Sequence, residues 1–118
     1  MPNLFRLKKK INSFNKTITV SGDKSISIRW VLFSSLANGI SNAQNLLLSD
    51  DVLAAINAIK KLGVKVRFNK KRCTIYGKGI NGYCFKKNII IDAKNSGTLG
   101  RLIMGLLIDT TYPIKIKG

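Results

Sequence analysis

Apolar residues recur along this chain at two different spacings. In VKVRF, residues 64–68, Val64, Val66 and Phe68 occupy alternate positions with Lys65 and Arg67 between them. A period of two predicts a half-buried strand. NKKR then supplies a polar turn, and CTIYG (73–77) returns as the hairpin partner. Between Ser49 and Gly63 the spacing lengthens to that of a helix. Val52, Leu53, Ile56, Ile59 and Leu62 form one stripe, and Asn57, Lys60 and Lys61 lie outside it. Ser49 is placed as its N-cap, Asp50 and Asp51 sit in the first turn where the helix dipole favours anions, and Gly63 ends it. Such a helix packs one face on a sheet.

Upstream, KTITV (16–20) reads as a short strand and SGD as a turn. Lys24 to Ala37 reads as a helix apolar on almost every side, with Ile26, Ile28, Val31, Leu32, Phe33 and Leu36 expected to hold it from several directions. Gly39, after Asn38, reads as that helix's C-cap, and Ile40 to Leu46 as a second strand. Downstream, GKGINGYCFKKN (77–88) is a glycine-rich cationic loop, NIIIDA a buried strand, NSGTLGRLIMGLLID a turn into an apolar helix, and PIKIKG another strand. The order strand, helix, strand, helix, strand, strand, then strand, helix, strand predicts an α/β protein whose second block repeats the first and is cut short.

A chain of 118 residues has room for one ordinary core. No apolar run approaches the roughly 20 residues that span a bilayer, and the cationic N-terminus lacks the apolar core and cleavage site of a secretory signal, so the expected location is cytoplasmic, with no membrane partner. Cys73 and Cys84 stand outside any CxxC spacing, and the chain has neither histidine nor glutamate. A zinc or Cys-His site therefore cannot be assembled from it, and both cysteines read as reduced structural thiols. The net charge of +16, from 21 basic and 5 acidic residues, taken alone suggests nucleic acid. The lysines are dispersed, however, and Asn and Ile are as abundant, as AT-rich codon usage produces. Exposed aromatics are not interleaved with the cations, and no nucleic-acid-binding motif is present. The charge is accordingly read as a basic surface suited to small anions, with no nucleic-acid partner.

The candidate chemistry lies at two helix starts. The first N–H groups of a helix have no internal partner and the dipole adds about half a positive charge, so anions are favoured there. The turn SGDK delivers the chain into such a start: Gly22 lets the backbone bend, Lys24 adds a full charge, and Ser25 and Arg29, at i and i+4, share a face. The structural alternative is that Ser25 caps the helix while Lys24 and Arg29 pair with Asp23 or point to water. A P-loop is excluded, because Asp23 stands where a glycine must directly precede the lysine. NSGTLGR, Asn95 to Arg101, repeats the device, and Gly97 has no side chain to bar a ligand from the backbone; the alternative is an ordinary Asn/Ser cap.

The set GDKSISIR, LANGISNAQNLLLSDDVLAAINAIKKLGVKV, GKGI and KNSGTLGRLIMGLL, in that order and with those gaps, resembles the N-terminal part of the 5-enolpyruvylshikimate-3-phosphate synthases (3-phosphoshikimate 1-carboxyvinyltransferases) from about Lys16 to Ile108. The sister transferases acting on UDP-N-acetylglucosamine share the fold but differ at the first motif. The resemblance implies an α/β fold of repeated βαβαββ units, one complete and a second truncated. The expected division is 1–21 as an N-terminal strand and hinge, 22–86 as the first unit, and 87–118 as the start of the second. It implies transfer of the carboxyvinyl group of phosphoenolpyruvate to the 5-hydroxyl of shikimate 3-phosphate, releasing phosphate, with no metal or organic cofactor. By position, Lys24 falls on the catalytic lysine that touches both substrates, Ser25 and Arg29 on residues holding shikimate 3-phosphate, and Gly97 on the glycine lining the phosphoenolpyruvate pocket, with Asn95 and Thr98 in the same loop.

The sequence departs from the family at Ser21, where Pro is common, and at Ile28, where His or Asn is frequent. The family's substrate-gripping serines and its acidic proton-transfer residues would lie beyond Gly118. The resemblance therefore implies a fragment that is inactive alone and whose partner is the missing C-terminal portion of the same enzyme. The competing reading is a stand-alone basic module that binds anions or nucleic acid without catalysis.

Overall fold

A computed structural model describes residues 3–6 and 8–118. The order is α1 (Lys24–Leu36), β1 (Asn38–Gln44), α2 (Asp50–Lys61), β2 (Lys65–Phe68), β3 (Arg72–Lys78), β4 (Ile90–Asp92), α3 (Gly97–Leu106) and β5 (Lys115–Lys117). β1, β3 and β2 form an antiparallel sheet in that spatial order. β4 and β5 pair in parallel, which requires a crossover, and α3 supplies it.

The alternation of VKVRF and CTIYG decides which face of the larger sheet is covered. Val66 lies opposite Ile75 and Phe68 opposite Cys73, on the face against which α1 and α2 pack. Ile28, Val31 and Leu32 of α1 meet Val52, Ile56, Ile59 and Leu62 of α2 over Cys73 and Ile75, and Ile91, Leu99 and Ile103 extend the same core. The α2 stripe appears as read, except that Leu53 is 38% exposed. Ser49 caps it by accepting the Val52 N–H. At its other end Gly63 turns at φ 88. There its N–H donates to Lys60 O and the Val64 N–H to Ile59 O, closing the last carbonyls.

Four expectations change. KTITV forms no strand: every residue from Lys8 to Val20 is exposed and irregular. A strand exists only where a neighbour takes its backbone hydrogen bonds, and here the Asn45 side-chain amide, donating to Val20 O, meets just one of them. The second strand begins two residues early, so Gly39 lies inside β1, opposite Gly77, and α1 ends instead at Ala37 in an extended conformation. Nor is α1 held from every side. Ile26 and Phe33, one heptad apart, are 68% and 64% exposed. Buried Ser27, Ser34 and Ser35 face the protein in their place, and Ser35 shares a hydrogen bond with Tyr83.

Both thiols are free; Cys73 is buried and Cys84 exposed. Burial pushes the Cys73 thiol up, with Lys60 opposing in part. One thiol is therefore expected to react quickly with DTNB in the folded chain, and the second only after denaturant is added. Two fast thiols would place Cys73 outside the core.

Candidate functional site

At the first helix start Gly22 is required by proximity rather than by its dihedral angles. A Cβ there would stand 2.6 Å from Asn45 O and 2.8 Å from Leu47 N, both backbone atoms. The turn is thus pressed on the 45–47 loop, which Ser27 also holds by accepting the Leu47 N–H. The cap is Asp23, whose Oδ1 accepts the Ile26 N–H at 2.7 Å. Ser25 is therefore not the capping residue, and its side chain sits half-buried in the first turn.

Lys24 pairs not with Asp23 but with a residue of α2, while its side chain stays half-exposed. Its Nζ lies 3.0 Å from Oδ2 of Asp51, whose side chain is largely buried. The macrodipole explains the choice, since a cation at the start of α1 is repelled while an anion at the start of α2 is favoured. The half-exposed lysine limits the pair to under about 1 kcal/mol of stability, so its consequence is orientation. Nothing in the linear spacing of residues 24 and 51 signals the pairing, and Asp51 reads from the sequence only as a dipole-favoured residue. Arg29, one turn further on, is exposed.

At the second start buried Ser96 accepts the Leu99 N–H at 3.0 Å and caps α3. Asn95 and Gly97 are exposed and Thr98 half-buried. A Cβ on Gly97 would meet no protein atom within 4 Å. Packing therefore leaves the space over this backbone open.

The preceding turn is organised by Asp92. Its Oδ1 accepts the Lys94 N–H at 2.9 Å, and its Oδ2 lies 3.5 Å from Nζ of both Lys94 and Lys117. The backbone hydrogen bond first, and then the two ammonium groups, hold its carboxyl below the usual carboxylate range. Because the folded pKa is depressed, this contribution to stability is complete above the unfolded value near 3.9 and is lost as pH falls through the folded one. Urea midpoints measured between pH 5 and 2 should fall less steeply in Asp92→Asn than in the parent.

Three contacts relate the two motifs. The Lys24–Asp51 pair places the start of α1 on the start of α2. Lys61, at the far end of α2, donates to Ile90 O at the beginning of β4. Asp92 and Lys94, at the end of β4, share a surface depression with Ala54 and Asn57 of α2. β4 thus lies along α2, from Lys61 at its beginning to a depression shared by Asp92 and Lys94 with Ala54, Asn57, Lys60 and Lys61. Among the described residues, Lys24, Ser25, Arg29, Asn95, Gly97 and Thr98 line none of five surface depressions.

The fold is a mixed α/β architecture, with Lys24 and Ser25 in the first turn of α1 and Gly97 and Thr98 in the first turn of α3. A profile of the EPSP synthases (3-phosphoshikimate 1-carboxyvinyltransferases) matches residues 8–118, and this chain belongs to that family. The 3-phosphoshikimate 1-carboxyvinyltransferase of Bacillus cytotoxicus is 41% identical over 118 residues, all of this chain and 27% of the relative. That of Ruthia magnifica is 40% identical over 111 residues, 93% of this chain and 25% of the relative. The EPSP synthase structure from Acinetobacter baumannii superposes with a TM-score of 0.73 at 30% identity, covering 86% of this chain and 23% of that one. The chain thus spans about a quarter of the length of these relatives. Among the described residues no helix is long and apolar enough to cross a membrane.

Proposed function

We propose that this chain supplies part of the substrate site of a cytoplasmic enolpyruvyl transferase that moves the carboxyvinyl group of phosphoenolpyruvate to the 5-hydroxyl of shikimate 3-phosphate. In that reaction the 5-hydroxyl oxygen loses its proton and bonds to C2 of phosphoenolpyruvate while C3 gains a proton; the C2–O bond to phosphate then breaks, and loss of a proton from C3 restores the double bond. Lys24 stands between two anionic substrates and offsets the charge that develops between them. Ser25 and Arg29 hold shikimate 3-phosphate, while Gly97, with Asn95 and Thr98 beside it, presents first-turn N–H groups to phosphoenolpyruvate. The residues completing acid-base chemistry belong to the rest of such an enzyme, so the 118 residues alone turn over negligibly. Residues 22–86 supply the αβαββ portion of one βαβαββ unit and 87–118 the start of another. The strand at 16–20 would form only against a neighbouring strand from outside this segment.

The observations that support this reading are Lys24 oriented by Asp51 at the start of α1 and the open space over Gly97 at the start of α3. Titration of the labelled chain with shikimate 3-phosphate is expected to shift the Lys24, Ser25 and Arg29 amides, and silence at millimolar ligand would refute the clamp. Gly97→Ala separates function from folding. No neighbour obstructs the methyl group, and alanine is the better helix former by up to about 1 kcal/mol. The urea midpoint should hold or rise, whereas in an enzyme carrying this segment the KM for phosphoenolpyruvate should rise more than that for shikimate 3-phosphate. Equal increases would contradict the placement.

A further inference from the structure

The face of the larger sheet turned away from α1 and α2 has its own chemistry. By register it is a small grid. Ile40, Tyr76 and Lys65 form one row and Asn42, Thr74 and Arg67 the next, with Gln44 beside Arg72 and Asn38 beside Lys78 at the two ends. Lys70 and Lys71 lie in the connecting turn and border a depression with Gln44, Asn69 and Arg72. Four lysines and two arginines thus share one surface. The chain's five aspartates, Asp23, Asp50, Asp51, Asp92 and Asp109, all lie off these strands. The ion pairs found among the described residues involve none of the six cations.

At the centre stands an aromatic ring. Lys65 Nζ is 5.0 Å and Arg67 Cζ 5.8 Å from the centroid of Tyr76, and exposed Ile40 adjoins it across the strand pair. In the linear sequence Tyr76 is about ten residues from those cations, so no interleaving of aromatic and basic residues is visible; the antiparallel pairing of β2 with β3 creates it. β3 spans seven residues, about 20 Å of cation-bordered surface. Stacked ring and guanidinium planes receive unstacked bases, and the flanking cations follow a phosphate backbone.

We propose that this outer sheet face binds single-stranded nucleic acid. It is independent of the substrate reading, since it lies on the opposite side of the sheet from the helix starts. Fluorescence anisotropy of the 118-residue chain with labelled dT12 tests it. Four to six phosphate contacts predict that log affinity falls against log salt with a slope of about −3 to −4, roughly 50- to 300-fold between 50 and 200 mM. Arg67→Gln/Arg72→Gln should reduce that slope by about 1.4, while Lys86→Gln/Lys87→Gln, which removes equal charge elsewhere, should leave it unchanged. Tyr76→Leu should weaken dT12 binding roughly five- to hundredfold at an unchanged slope; should that variant not fold, the surface arginine pair still decides. Equal slope reductions in both double variants would reduce the effect to bulk charge and overturn the proposal. So would displacement of dT12 by polyglutamate as effective, charge for charge, as by unlabelled oligonucleotide, because the surface would then be a docking site for acidic peptides.

Discussion

Lys24→Ala is expected to remove nearly all of the chain's response to shikimate 3-phosphate, a loss of tenfold or more in affinity, while its urea midpoint stays close to that of the parent. A hydrogen bond to a charged group contributes about 1.5–3 kcal/mol, which converts to roughly ten- to a hundredfold. The stability side follows from exposure. Lys24 is half in water, so its pair with Asp51 adds less than about 1 kcal/mol, and alanine is at least as good a helix former as lysine. Asp51 then keeps its favourable place in the first turn of α2. In an enolpyruvyl transferase carrying this segment the same change should lower kcat and kcat/KM together, because the charge acts between the reacting groups. Normal affinity in a folded Lys24→Ala chain would remove Lys24 from the site.

Gly77→Ala is expected to have the opposite signature, with folding lost first. A Cβ at Gly77 would lie 2.1 Å from Ala37 O and 2.6 Å from Ser34 O, both backbone atoms at the C-terminal end of α1. No rotamer relieves such a clash, so α1 must lift from the sheet. Overpacking a core costs about 1–3 kcal/mol when side chains can adjust, and a backbone obstruction belongs at or above the top of that range. Against the 5–15 kcal/mol typical of whole domains, this should shift the urea midpoint strongly downward or leave the chain unfolded. Amide spectra showing a native fold with an unshifted midpoint would mean that β3 does not approach α1 this closely. The contrast with Gly97→Ala is physical. Both residues are glycines, but one is covered by backbone and the other by no atom of the described residues.

Most of the regular structure is legible in the sequence, because it follows from short-range rules. The stripe Val52, Ile56, Ile59, Leu62, the Ser49 cap and the Gly63 stop together determine α2. The alternation of Val66 and Phe68 with Lys65 and Arg67 determines which side of β2 is covered. The segments GDKSISIR, LANGISNAQNLLLSDDVLAAINAIKKLGVKV, GKGI and KNSGTLGRLIMGLL, in that order and with those gaps, point to the family that the profile match shows. The candidate site was less legible. Ser25 as a possible cap competes with Asp23 two residues away, and both satisfy the same local preference. Only the hydrogen bond from Ile26 decides between them.

What the sequence determined by itself was therefore what depends on neighbours within a few residues: helix and strand type, caps, the strand–turn–strand of the hairpin, and the motifs of a phosphate-handling family. Tertiary structure alone decided matters that need partners distant in the chain. Lys24 is oriented by Asp51 because two helix starts are packed side by side. KTITV stays irregular because no strand among the described residues lies beside it to accept and donate its hydrogen bonds. Tyr76 lies among cations because antiparallel register brings Lys65 and Arg67 beside it across the hairpin, and no count of residues along the chain contains that proximity.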